Sequence, residues 1–93
     1  MATVEVTIGG VSRDAKLMWS GKKKSLHNAG AGDYAAAFRS SPGTFVYSIV
    51  VFGNPGDPWG AKVTDGTTTY NHAGHMSPSG YDTTGDTPFQ VAE

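Results

Sequence analysis

The nine residues Thr44-Phe45-Val46-Tyr47-Ser48-Ile49-Val50-Val51-Phe52 constrain the fold more than any other stretch. Nearly all are β-branched or aromatic, which suits a pleated backbone, and apolar side chains fall on both faces of the run. Such a segment predicts the central strand of a sheet rather than an edge. Its limits are set by residues that cannot extend it. Pro42-Gly43 makes a turn in front, and behind it Gly53-Asn54-Pro55-Gly56-Asp57-Pro58 carries two prolines without amide donors. The chain should leave the sheet there in an ordered loop and re-enter at Trp59.

The rest of the chain has the same character. Val4, Val6 and Ile8 alternate with Thr3, Glu5 and Thr7, the period of two that buries one side of a strand. After the Gly9-Gly10 turn, Ala15, Leu17 and Trp19 repeat the pattern, so these two strands either form a hairpin or face each other across a sandwich. Lys22-Lys23-Lys24 resists burial and belongs at a sheet edge or on a loop. Asn28-Ala29-Gly30-Ala31-Gly32 is expected to be irregular. Tyr34, Ala36 and Phe38 alternate and predict a strand, although Asp33 is also placed to cap a single helical turn over the alanines.

Further on, Ala61–Thr64 and Thr67–Tyr70 flank Asp65-Gly66, which predicts a hairpin with a two-residue type I′ turn. Asn71 to Asp86 reads as a long polar loop, with Gly74, Pro78, Gly80 and Gly85 spaced through it, and Phe89 and Val91 as a last short strand. No helix of ordinary length and no internal repeat is visible. The expected fold is all-β: one domain over residues 1–93, a small antiparallel β-sandwich of immunoglobulin-like or lectin-like kind, with a small β-barrel as the alternative.

Composition limits the function classes. At 93 residues with 38% apolar and 16% charged side chains, the chain can pack a core but leaves little room for a deep enclosed active site. Without cysteine, disulfides, thiolate ligands and thiol catalysis are excluded. No run approaches the roughly 20 apolar residues of a transmembrane segment. Met1–Glu5 has neither a basic nor an apolar leader region, so the expected location is cytoplasmic, or secreted without a visible signal peptide. A net charge of −1 argues against duplex nucleic acid as a partner. The charge is uneven: Arg13, Lys16, Lys22–Lys24 and Arg39 precede an acidic second half holding Asp57, Asp65, Asp82, Asp86 and Glu93.

Few residues suggest chemistry. His72 and His75 with Asp82 and Asp86 have ligand chemistry but no spacing that marks a metal site, and the expectation is no metal and no cofactor. His27, His72 and His75 with Ser25, Ser77 or Ser79 lack a nucleophile-elbow motif, so no catalytic residue is assigned and the chain is not expected to be an enzyme. Trp19 beside Lys22–Lys24 offers weak precedents for stacking on a base or resting on an anionic membrane surface. Trp59, Tyr70 and Tyr81 accompany the polar groups Asn54, Asp57, Asn71, His72, Asp82 and Asp86. An aromatic plate flanked by planar hydrogen-bonding groups is what a shallow sugar site needs.

Several local patterns, Val4–Ile8, Trp19-Ser20-Gly21-Lys22, Pro42-Gly43, Trp59-Gly60 and Asp65-Gly66, resemble small lectin-type and aegerolysin-like β-sandwich domains. The resemblance covers about half of the chain and departs from it in the polar C-terminal segment. It implies a non-enzymatic domain that binds glycans or lipid headgroups. The residues and the resemblance converge on one expectation, a lectin-like binding module for a glycan or glycoconjugate, with Trp59, Tyr70, His72, Tyr81 and Asp82 as its ligand-binding residues. The alternatives are a structural or protein-interaction domain, an assembly subunit or an inhibitor, working through an open strand edge, with the homo-oligomer as one form of it, and membrane-surface binding.

Overall fold

The computed structural model describes residues 2–92, and among them there are ten strands and no helix. In chain order these are β1 (Ala2–Gly9), β2 (Asp14–Trp19), β3 (Lys22–Lys24), β4 (His27–Gly30), β5 (Asp33–Ser40), β6 (Gly43–Phe52), β7 (Pro58–Thr64), β8 (Thr69–His75), β9 (Tyr81–Thr83) and β10 (Thr87–Val91). They build two antiparallel five-stranded sheets. The first runs β4-β5-β1-β7-β8; the second runs β10-β6-β2-β3, with β9 also paired to β6. The sheets pack as a β-sandwich and do not close, which rules out the barrel alternative.

Chain order explains this arrangement. The turn after β1 does not make a hairpin: β1 pairs with β5 and β7 in the first sheet, while β2 pairs with β6 and β3 in the second. Of the two arrangements open to these strands, they face each other across the sandwich. The run Thr44–Phe52 lies inside β6, paired on one side with β2 and on the other with β9 and β10, the central place its composition predicts. Tyr34–Phe38 is strand, registered along β1 from Ile8↔Tyr34 to Ala2↔Ser40. Pairing with β1 and burial of Phe38 against Trp19 outweigh alanine's preference for helix.

The core is what the period-two patterns predict. Val4, Val6 and Ile8 of β1 and Ala61 and Val63 of β7 face Leu17, Ile49, Val51, Phe89 and Val91 of the opposite sheet, all of them buried. At one end Trp19, only 5% exposed, is ringed by Phe38, Phe45, Tyr47 and Phe89 with ring centroids 5.0–6.0 Å away. Full burial of each such large side chain contributes roughly 1.5–3 kcal/mol. Trp19 is therefore unavailable to a base or a membrane, and that role for Trp19 beside Lys22–Lys24 is withdrawn. The lysines themselves form β3, the edge of the second sheet.

Three local expectations are corrected. The connection from β7 to β8 has four residues, because Thr64 pairs with Thr69. Asp65 Oδ1 accepts hydrogen bonds from the amides of Thr67 at 2.9 Å and Thr68 at 2.7 Å, and so wraps a longer loop than a bare Asp-Gly turn. His27–Gly30 is a short edge strand rather than irregular chain, kept in place by β5 despite a register shift between Asn28 and Gly30. Half of the supposed loop from Asn71 to Asp86 is also strand, since β8 extends to His75 and β9 covers Tyr81–Thr83. Its polar and small residues sit at sheet edges, where one side of a strand meets solvent.

The edge formed by β9 and β10 is one interrupted strand. Between Val50↔Thr83 and Tyr47↔Thr87, β6 advances by three residues and the edge by four, so the extra residue makes a bulge. The hydroxyl and amide of Thr84 both bond to the backbone of Ile49, and Gly85 takes a φ of 67° to let the edge resume.

Candidate functional site

The five predicted ligand residues do not share one surface. Alternation along β8 puts Tyr70, His72 and Gly74 on the inner face, opposite Val63, Ala61 and Trp59 of β7. Alternation along β9 turns Asp82 inward and Tyr81 outward. Trp59, Tyr70, His72 and Asp82 therefore meet at the seam where β8 of the first sheet comes over the β9–β10 edge of the second. Tyr81 stands alone on the outside.

At the seam the polar side chains of Trp59, Asp82 and His72 have internal partners. The indole Nε1–H of Trp59 donates to Asp82 Oδ2 at 2.8 Å, and the ring is only 6% exposed. Gly74 lies under this bond; a Cβ there would fall 2.5 Å from Asp82 Oδ2 and 3.0 Å from Trp59 Nε1. Asp82 Oδ1 accepts from the Thr83 amide at 2.9 Å. Nε2 of His72 lies 2.6 Å from the Tyr47 hydroxyl. With the ring proton on Nδ1, Nε2 accepts from that hydroxyl; a doubly protonated ring would turn the acceptor into a donor. Burial holds the imidazole below its ordinary pKa of 6.5 and pushes the Tyr47 phenol up to about 12, with the Tyr70 phenolate adding to the latter. Tyr70 packs edge-on against Phe89 with centroids 5.1 Å apart and is 37% exposed.

The seam is thus a brace between the sheets, and Trp59 is no sugar plate. In the linear sequence an aromatic after a loop has the same look whether its ring turns in or out. The deciding contact, to a carboxylate 23 residues away, is visible only in three dimensions. His72 and His75 are an odd number of residues apart on one strand and project from opposite faces, so they cannot share a metal ion. Ser77 Oγ accepts from the amides of Ser79 and Tyr81, shaping the turn before β9 rather than serving a histidine.

Tyr81 is the predicted residue left facing solvent, 47% exposed. That turn is fixed from several directions: Gly80 N–H donates to Ser77 O at 2.8 Å, Ser77 N–H to Tyr81 O at 2.8 Å and Gly53 N–H to Gly80 O at 2.9 Å. Gly80 has a φ of 82° and its Cβ position lies 2.7 Å from Gly53 O, so only glycine fits. The loop Asn54–Asp57 is tied to the same turn through Met76, whose amide donates to Asp57 O and whose carbonyl accepts from Gly56.

On the outer face of the second sheet, Tyr81 lies beside Phe52, and Phe52 beside Asp14; one row along, Thr83, Val50 and Lys16 follow the same order. The Lys16 ammonium sits 5.9 Å from the Phe52 ring centroid. Two aromatic rings, a carboxylate, an ammonium and a hydroxyl thus share one open patch. Phe52, Asp14 and Lys16 were not among the predicted residues. The signal for Phe52 was its parity in β6, opposite to that of Tyr47, Ile49 and Val51; Asp14 and Lys16 needed the β2–β6 register.

The outer face of the first sheet is different. Two open depressions of about 450 and 490 Å³ cross it, sharing Thr7 and Ala35 as floor. No protein-family model, no curated protein and no solved structure matches this chain. No helix of the described residues is long and apolar enough to cross a membrane.

Proposed function

We propose that this domain is a non-enzymatic, lectin-like binding module whose ligand is a carbohydrate, held on the outer face of the second sheet around Tyr81. The observation that supports the reading is the exposed Tyr81 ring next to Phe52, with Asp14, Lys16 and Thr83 within the same two rows of side chains. A pyranose has one face of C–H groups that rests on an aromatic ring and a rim of hydroxyls that pair with carboxylate, ammonium and hydroxyl groups. The patch offers both parts, on rigid strands rather than on loops. It is open, so the reading favours a terminal or side-chain sugar of a glycan or glycoconjugate over a buried small molecule.

The test is a glycan array with the labelled, folded protein, followed by titration of the best ligand. Selective binding to related glycans, weakened about tenfold or more by Tyr81→Ala, is the expected result. A blank array with a folded protein, or binding that Tyr81→Ala leaves unchanged, overturns the reading.

A further inference from the structure

A sandwich of this kind has four sheet edges, and three of them carry features that discourage pairing with another chain. β3 is three consecutive lysines. β4 has four residues and a register shift. The β9–β10 edge is broken by the bulge at Gly85 and contains Pro88, which has no amide to donate. β8 has none of these. Its seven residues, Thr-Tyr-Asn-His-Ala-Gly-His, include no lysine, arginine, carboxylate or proline, and all seven pair in unbroken register with β7. Among the described residues no side chain or loop bonds to the backbone groups on its other side, and five of the seven are exposed. At about 3.4 Å per residue the open edge is about 24 Å long.

The geometry points to a second copy of this chain as the occupant: two molecules join through β8 as antiparallel neighbours about a two-fold axis at His72, the midpoint of the strand, making one continuous ten-stranded sheet. Side-chain sizes match in that register. Tyr70 of one copy lies opposite Gly74 of the other; the Trp59–Asp82 bond fills the Cβ position of Gly74, and the Tyr70 ring keeps its place on Phe89 of its own copy, so this pair brings no two side chains into competition. Asn71 lies opposite Ala73, and Thr69 opposite His75. No formally charged side chain of the strand opposes its own copy, a condition an isologous contact must meet and the β3 edge fails. An unrelated extended peptide would gain the backbone bonds alone, whereas the second copy gains these pairings as well.

The test is sedimentation velocity on the full chain from about 1 μM to about 500 μM, the range in which a contact of one strand pair is read. A concentration-dependent shift from monomer to dimer is expected. Asn71→Lys with Ala73→Lys sets ammonium groups opposite one another twice and should leave only monomer; Asn71→Lys with Ala73→Glu sets opposite charges there and should restore the dimer. Both positions are exposed and face outward, and circular dichroism checks that each variant is folded. A wild-type monomer throughout, or a dimer that the double-lysine variant leaves intact, or a lysine–glutamate variant no different from the double-lysine one, overturns the proposal. Each outcome is independent of glycan binding at Tyr81, which lies on the other sheet.

Discussion

Two adjacent residues, Tyr81 and Asp82, have opposite duties because strand geometry turns them to opposite faces. Asp82 is committed to the interior by its bond to the Trp59 indole, an acceptor and donor that would each be costly to leave unpaired. Trp59→Phe keeps the apolar ring and removes the donor, and should lower unfolding free energy by about 1–3 kcal/mol in urea titration. Tyr81→Ala serves as the contrast: its ring faces solvent, so its effect on stability should stay within about 0.5 kcal/mol, apart from any effect on ligand binding. If the two variants lost stability equally, the division between brace and surface would be wrong.

Among the elements, the β7–β8 hairpin depends most on a single side chain. Asp65 accepts from the amides of Thr67 and Thr68 with one oxygen and, with the other, from the Ala92 amide at 2.8 Å, so one carboxylate joins the hairpin loop of the first sheet to the segment after β10 in the second. These backbone hydrogen bonds, that from Ala92 foremost, hold its pKa below the ordinary 3.8. The unfolded chain therefore takes up this proton at higher pH than the folded one. The contribution is complete above about pH 4 and fades as pH falls through the lower folded-state value. Asp65→Asn should lower stability at pH 7, and the difference from wild type should shrink as the pH is taken toward 2. A difference that stayed constant with pH would show that the carboxylate charge is not what matters.

Alternation sufficed to locate β1 and β2, because each buries one parity of side chains and shows it in sequence; β6 was legible from its run of β-branched and aromatic residues, and β5 from an alternation that left a helical turn as the alternative. The edge strands were harder to read. β8 holds Asn71, Ala73, Gly74 and His75, none of them strong strand formers, and is a strand because β7 supplies its hydrogen bonds along the whole length. The same difficulty affected the site. The sequence brought out aromatic and polar residues between Trp59 and Asp82, but the direction of each follows from registers set by residues far away in the chain. Phe52, Asp14 and Lys16 gather round Tyr81 only because β2, β6 and β9 are neighbours.

At the scale of the whole molecule the two outer faces are unlike. One carries small and polar side chains over shallow depressions, the other an aromatic patch, and the charge asymmetry of the sequence becomes a gradient across the second sheet. Lysines at β3 and in β2 stand at one side, Asp82 and Asp86 at the other. Lys24 also lies over the Phe38 ring at 4.7 Å, so its stem covers core while its charge stays in water. Replacing the three by Lys22→Thr, Lys23→Val and Lys24→Thr keeps strand propensity and removes the repulsion. The variant should remain folded by circular dichroism yet scatter more light than wild type as concentration rises. Unchanged scattering would show that the lysines do not guard that edge.

The place of β1 has a consequence for how the chain reaches its structure. It lies in the middle of the first sheet, between β5 and β7, so its hydrogen bonds on one side wait for Tyr34–Ser40 and on the other for Gly60–Thr64. None of its partners is a near neighbour in sequence, and pairings that close such large loops form slowly. During synthesis β1 leaves the ribosome before both partners and stays open along one edge until β5 has followed it and along the other until β7 has. The apolar row Val4, Val6 and Ile8 is therefore in need of protection in the nascent chain, and the rate at which β7 docks sets how long that need lasts.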